Sequence, residues 1–67
     1  MSIGKITEIT STSKKSFEDA IEKAIERSSK TLKGVKSAWV KDQEVTIKDG
    51  KVDEYRVNLK IVFVLED

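Results

Sequence analysis

The sequence predicts a small α+β domain with the element order strand, helix, strand, strand. Three observations carry this. Phe17, Ala20, Ile21, Ala24, Ile25, Ser28 and Leu32 recur at three- and four-residue steps, which is one face of a helix. An Asp49-Gly50 dipeptide separates two long, largely alternating stretches, which is a hairpin signal. Ahead of the helix lies a segment rich in β-branched residues: Ile3, Ile6, Thr7 and Ile9.

The first strand is expected over residues 3–9, with the polar run Thr10–Ser13 as a loop. The helix is expected over about 14–33. Ser13 or Ser16 suits its N-cap, because a serine hydroxyl accepts a hydrogen bond from a first-turn amide. Asp19–Lys23 and Glu26–Lys30 are favourable i,i+4 pairs on the polar face. Lys30 and Lys33 sit at the negative end of the helix dipole, and Gly34 is placed as the stop.

The hairpin strands are expected over 35–48 and 51–65. A type I′ turn needs positive φ at both central residues, which Asp-Gly supplies. With a two-residue loop and unbroken pairing, Ile47 faces Val52, Gln43 faces Arg56, Trp39 faces Lys60 and Ser37 faces Val62. Alternation then sorts the hairpin into two faces. One carries Ala38, Val40, Tyr55, Val57, Leu59, Ile61, Phe63 and Leu65, and receives the helix. The other carries Ser37, Trp39, Lys41, Gln43, Arg56, Asn58, Lys60, Val62 and Val64.

Strands of that length reach roughly 45 Å, whereas a 20-residue helix covers only ~30 Å. Part of the sheet must extend past its own helix. Trp39, Val62 and Val64 then form an uncovered apolar patch, which predicts a subunit interface.

Composition narrows the function. Sixty-seven residues make one domain, spanning residues 1–67. The chain has no Cys and no His, so it lacks a disulfide, a thiolate metal site and an imidazole catalyst. Catalysis would need a lysine or a carboxylate pair in a pocket, and no motif locates one; the expectation is that the protein is not an enzyme. Thirteen basic and twelve acidic side chains are interspersed and give a net charge of +1, against a nucleic-acid partner. No apolar run approaches the ~18 residues of a membrane span. The opening Met1-Ser2-Ile3-Gly4-Lys5 lacks the apolar core of a signal peptide, so a cytoplasmic address is expected.

Three segments, in order along the chain, are then familiar: Ser11-Thr12-Ser13-Lys14-Lys15-Ser16-Phe17, Val40-Lys41-Asp42-Gln43 and Val62-Phe63-Val64-Leu65-Glu66. With the strand–helix–hairpin order, they resemble the dodecins over nearly the whole chain. The resemblance implies a β-α-β-β protomer whose three-stranded antiparallel sheet wraps around one helix. It also implies a hollow homododecamer that stores or buffers flavins (riboflavin, FMN or FAD) as aromatic stacks rather than acting as a catalyst.

At the two diagnostic positions the chain departs from the flavin-binding pattern. Ser37 stands at the position of the stacking Trp, and Arg56 at that of the Gln that binds the ring's polar edge. Trp39 shares the face of Ser37 but lies ~6–7 Å further along the strand. Ser37, Trp39, Gln43 and Arg56 are therefore the candidate ligand-binding residues, Trp39 for stacking and Gln43 and Arg56 for polar contacts. An arginine fork suits an anionic or carbonyl group.

At these two positions the chain is similar to the calcium dodecins. That implies calcium as an alternative, with Asp42, Glu44, Asp53, Glu54, Glu66 and Asp67 as candidate donors in a site shared between chains. A structural shell without flavin is the third alternative. Asp42 and Glu44, two apart on one strand, share a face that could make them a coupled carboxylate pair; cross-strand charge pairing is the simpler expectation.

Overall fold

A computed structural model describes residues 3–65. Its elements follow the predicted order: β1 (Ile3–Ser13), α1 (Phe17–Thr31), β2 (Val35–Lys48) and β3 (Lys51–Leu65). The sheet is antiparallel with order β1-β3-β2, so the most apolar strand is central and both flanking strands pair with it.

The hairpin has the expected boundaries. Asp49 and Gly50 hold φ of 52° and 74°, the two positive values a type I′ turn demands. The first strand is longer than expected. Thr10–Ser13 is strand rather than loop, because β3 runs far enough to pair Thr10 with Asn58 and Ser13 with Tyr55. These backbone amides find ladder partners that the local sequence does not advertise.

The helix is shorter than the expected 14–33. Ser16 caps it, its hydroxyl accepting from the Asp19 amide at 2.9 Å. Ser13, the other candidate cap, ends β1 and accepts from the Lys15 amide at 2.9 Å. Asp19 pairs with Lys23 at 3.1 Å. Among the described residues no ion pair joins Glu26 to Lys30. The helix ends at Thr31, and Leu32 is already extended. Gly34 therefore does not terminate it. At φ 74° Gly34 turns the chain into β2, and its carbonyl accepts from the Val64 amide at 3.0 Å.

The helix meets the sheet through small residues. Ala20, Ala24 and Ser28 are buried, which lets the backbone approach β3 closely. Opposite them Val57, Leu59 and Ile61 are fully buried, each contributing roughly 1.5–3 kcal/mol by leaving water. Ile9, Phe17, Ile21, Ile25, Leu32, Val35 and Ala38 complete the cluster. Phe17 meets Tyr55 edge-on, with ring centroids 5.1 Å apart.

A 15-residue helix is only ~22 Å long, while the molecule extends 52 Å. The sheet therefore overhangs its helix, as the length argument required. Among the described residues, no helix is long and apolar enough to cross a membrane.

Candidate functional site

The face of the sheet turned away from the helix is built in rungs that cross all three strands. Directly paired residues point to the same side. The pairings give Ile6–Val62–Ser37, Glu8–Lys60–Trp39, Thr10–Asn58–Asp42 and Thr12–Arg56–Glu44 as successive rungs. The first rung is largely apolar and the last two are polar. Trp39 stands at the change of character and is 63% exposed.

The register departs from unbroken pairing in the middle of the hairpin. Asp53 is an extra residue on β3 and Lys41 an extra residue on β2, so the ladder shifts by one at the first and shifts back at the second. Trp39–Lys60, Ser37–Val62 and Ile47–Val52 pair as expected. Between the bulges the pairing changes: Gln43 faces Val57, and Arg56 faces Glu44. The expected Gln43–Arg56 pair is thus absent. Gln43 shares the side of Val57, which faces the helix, while Ser37, Trp39 and Arg56 remain together on the open side.

The polar rungs are tied across the strands. Asn58 accepts from the Thr10 hydroxyl at 2.6 Å and donates its amide to Asp42. Arg56 Nη1 donates to Glu44 Oε1 at 3.1 Å. Glu8 Oε1 lies 3.6 Å from Lys41 Nζ and 3.9 Å from Lys60 Nζ. Glu44 thus takes the cross-strand charge partner expected of it, whereas the cross-strand partner of Asp42 is a neutral amide.

Where the Lys41 bulge disturbs the pleat, a depression of about 400 Å³ opens, lined by Glu8, Ile9, Thr10, Lys41, Asn58 and Leu59. Sequence reasoning missed it, because a bulge at a lysine has no side-chain signature. A larger groove of about 470 Å³ lies elsewhere, between β1 and α1, over Thr7, Ile9, Ala24, Arg27 and Ser28. Neither Trp39 nor Arg56 lines it.

Metal donors are scattered. Among the described residues, no three acidic side chains come together to hold an ion. Asp53 pairs with Lys14 at 3.4 Å. Of the candidate calcium donors, Glu66 and Asp67 lie outside the described residues. One carboxylate is electrostatically distinctive, and it sits at the helix start. The Ser13 hydroxyl donates to Asp19, and with Lys23 beside it this holds the Asp19 carboxyl below the usual range.

The family model for dodecin matches residues 3–66, which is nearly the whole chain. The chain belongs to the dodecin family. No curated protein matches it. Among solved structures it is similar to an arginine-to-alanine mutant of Thermus thermophilus dodecin, at 36% identity and a TM-score of 0.93. That match covers 100% of this chain and 98% of the other. The dodecin of Streptomyces coelicolor shares 32% identity over 98% of this chain and 94% of its own, with a TM-score of 0.92. A calcium-chelating antigen of Mycobacterium tuberculosis, a calcium dodecin with a calcium-binding site, shares 28% identity over 96% and 91%, with a TM-score of 0.82. The β-α-β-β architecture expected from the resemblance is the dodecin fold, and homododecameric assembly is consistent with it.

Proposed function

We propose that this dodecin works as a homododecamer that binds and stores a planar, flavin-type ligand on the open sheet face, without transforming it. The observation that carries the proposal is Trp39. A large aromatic side chain, 63% exposed, stands on an overhanging face where no element of its own chain covers it. Such a surface stacks on a planar heteroaromatic ring, and ring–ring contacts of this kind contribute about 0.5–1.5 kcal/mol beyond the area buried.

Ser37 and Arg56 complete the ligand set on this face. Ser37 is exposed one rung away on the same strand. Arg56 lies four residues along β3 from Lys60, ~13 Å away. That is too far to meet the edge of a ring seated on Trp39, but within reach of an anionic tail such as the phosphate of FMN. Gln43 leaves the set because its register puts it on the helix side.

The absence of His and Cys from the sequence supports a binding role over a catalytic one. The cytoplasmic address and the lack of a nucleic-acid partner are part of the same proposal, resting on cysteine usage and balanced charge. The calcium alternative finds less support. Asp42, Glu44 and Asp53 already hold Asn58, Arg56 and Lys14 within the chain. Equilibrium dialysis of the purified assembly against FMN and, separately, against calcium chloride tests the choice. Stoichiometric FMN uptake supports the proposal, and uptake of calcium alone overturns it.

A further inference from the structure

We infer that Ile6 and Val62 hold the apolar end of the ring that Trp39 stacks upon, so that the site selects planar ligands alkylated at one end. The inference rests on the flavin-type reading and adds a specificity element to it. Seven large hydrophobic side chains are exposed among the described residues. Alternation along the strands puts Ile3, Val40, Ile47, Val52 and Leu65 on the helix side of the sheet. Only Trp39 and Ile6, which is 56% exposed, stand on the open side.

The register brings these two side chains together. Trp39 pairs with Lys60, so Val62, two residues further along β3, is its diagonal neighbour at about 7–8 Å. Val62 is half-buried and pairs with Ile6 on its other flank. Ile6 therefore lies two strands and one rung from Trp39, ~12 Å away, with Val62 between them. A tricyclic ring that stacks on Trp39 and leans across β3 covers both aliphatic side chains. Polarity fixes which end goes there. In the other direction from Trp39 the next rung is Thr10–Asn58–Asp42, whose groups are hydrogen-bonded across the strands. The methyl-bearing benzenoid end of a flavin gains by covering Val62 and Ile6. The pyrimidine end loses by lying there, because its carbonyls and N–H need polar partners. The tail leaves the ring sideways, along the strands toward Arg56. Flavins are thereby favoured over fused heteroaromatics that are polar at both ends.

The test compares riboflavin with an analogue lacking its two ring methyl groups, by quenching of flavin fluorescence on the wild-type assembly and on Ile6→Thr. That substitution keeps a β-branched residue at an exposed strand position. Full burial of one methyl is worth roughly fourfold in affinity, so the pair sets a ceiling of about fifteenfold. The expected result is a riboflavin preference of about threefold or more on wild type, at least halved on Ile6→Thr. The unmethylated ligand should bind both proteins alike. Equal binding of the two ligands to wild type overturns this inference and leaves the flavin-type reading in place. A preference unchanged in Ile6→Thr does the same. Failure of Ile6→Thr to assemble also overturns it, and assigns Ile6 to a contact with a second copy of the chain. Binding of neither ligand to wild type overturns the flavin-type reading, and this inference with it.

Discussion

Arg56 donates to Glu44 at 3.1 Å across the β2–β3 ladder, and the pair is partly exposed on the same sheet face as Trp39. An exposed ion pair contributes little to folding, about 0–1 kcal/mol. Its consequence lies in binding, because Glu44 competes with any anion for the guanidinium. FMN should bind more tightly than riboflavin, and Glu44→Gln should widen the gap. Arg56→Gln should remove the gap while changing stability by less than about 1 kcal/mol. Parallel titrations of the two flavins, with urea melts of each variant, check this.

Trp39→Ala separates stacking from packing. The side chain is largely exposed in its own protomer and supports no core residue, so the variant should fold normally, and under the stacking reading it should also assemble. It should lose flavin retention on purification. Size-exclusion chromatography with an absorbance ratio at flavin and protein wavelengths reads both properties together. Loss of assembly would make Trp39 a packing anchor.

Gly34 and Gly50 share a φ of 74° but differ in their surroundings. A Cβ on Gly50 would meet nothing within 4 Å, whereas one on Gly34 would lie 2.6 Å from the Val64 carbonyl oxygen. Gly50→Ala should cost only the left-handed backbone penalty, about 1–2 kcal/mol. Gly34→Ala must also push β3 away, and should lose at least ~1 kcal/mol more. Urea denaturation at matched protomer concentration measures both.

Asp19 gives the fold an acid limb. Its folded pKa is depressed, chiefly by the Ser13 hydroxyl and then by Lys23. Its stabilisation is therefore complete above the ordinary carboxylate pKa of about 4, and is lost as pH falls through the lower folded value. Asp19→Asn and Ser13→Ala should both flatten the loss of stability below about pH 4. Denaturant midpoints between about pH 2 and 5 test this.

These relationships were unequally legible in the sequence. The hairpin boundaries followed from Asp49-Gly50, because a turn that needs two positive φ angles constrains its own residues. The helix face followed from periodicity. The register between Asp42 and Thr46 was not legible, since it depends on bulges at Lys41 and Asp53 that compensate one another. Counting outward from the turn recovers Trp39–Lys60 and misplaces Gln43, although both lie on the same strand. The strand character of Thr10–Ser13 was hidden for a related reason: it depends on how far β3 extends, not on those four residues.

Native mass spectrometry of freshly purified protein, before any ligand or chelator is added, tests the central claim most directly. The account predicts a mass of twelve protomers with flavin-sized increments, and loss of those increments in Trp39→Ala. A bare dodecamer, or one carrying only metal-sized increments, would leave the fold standing and contradict the assignment of the open sheet face as a flavin site.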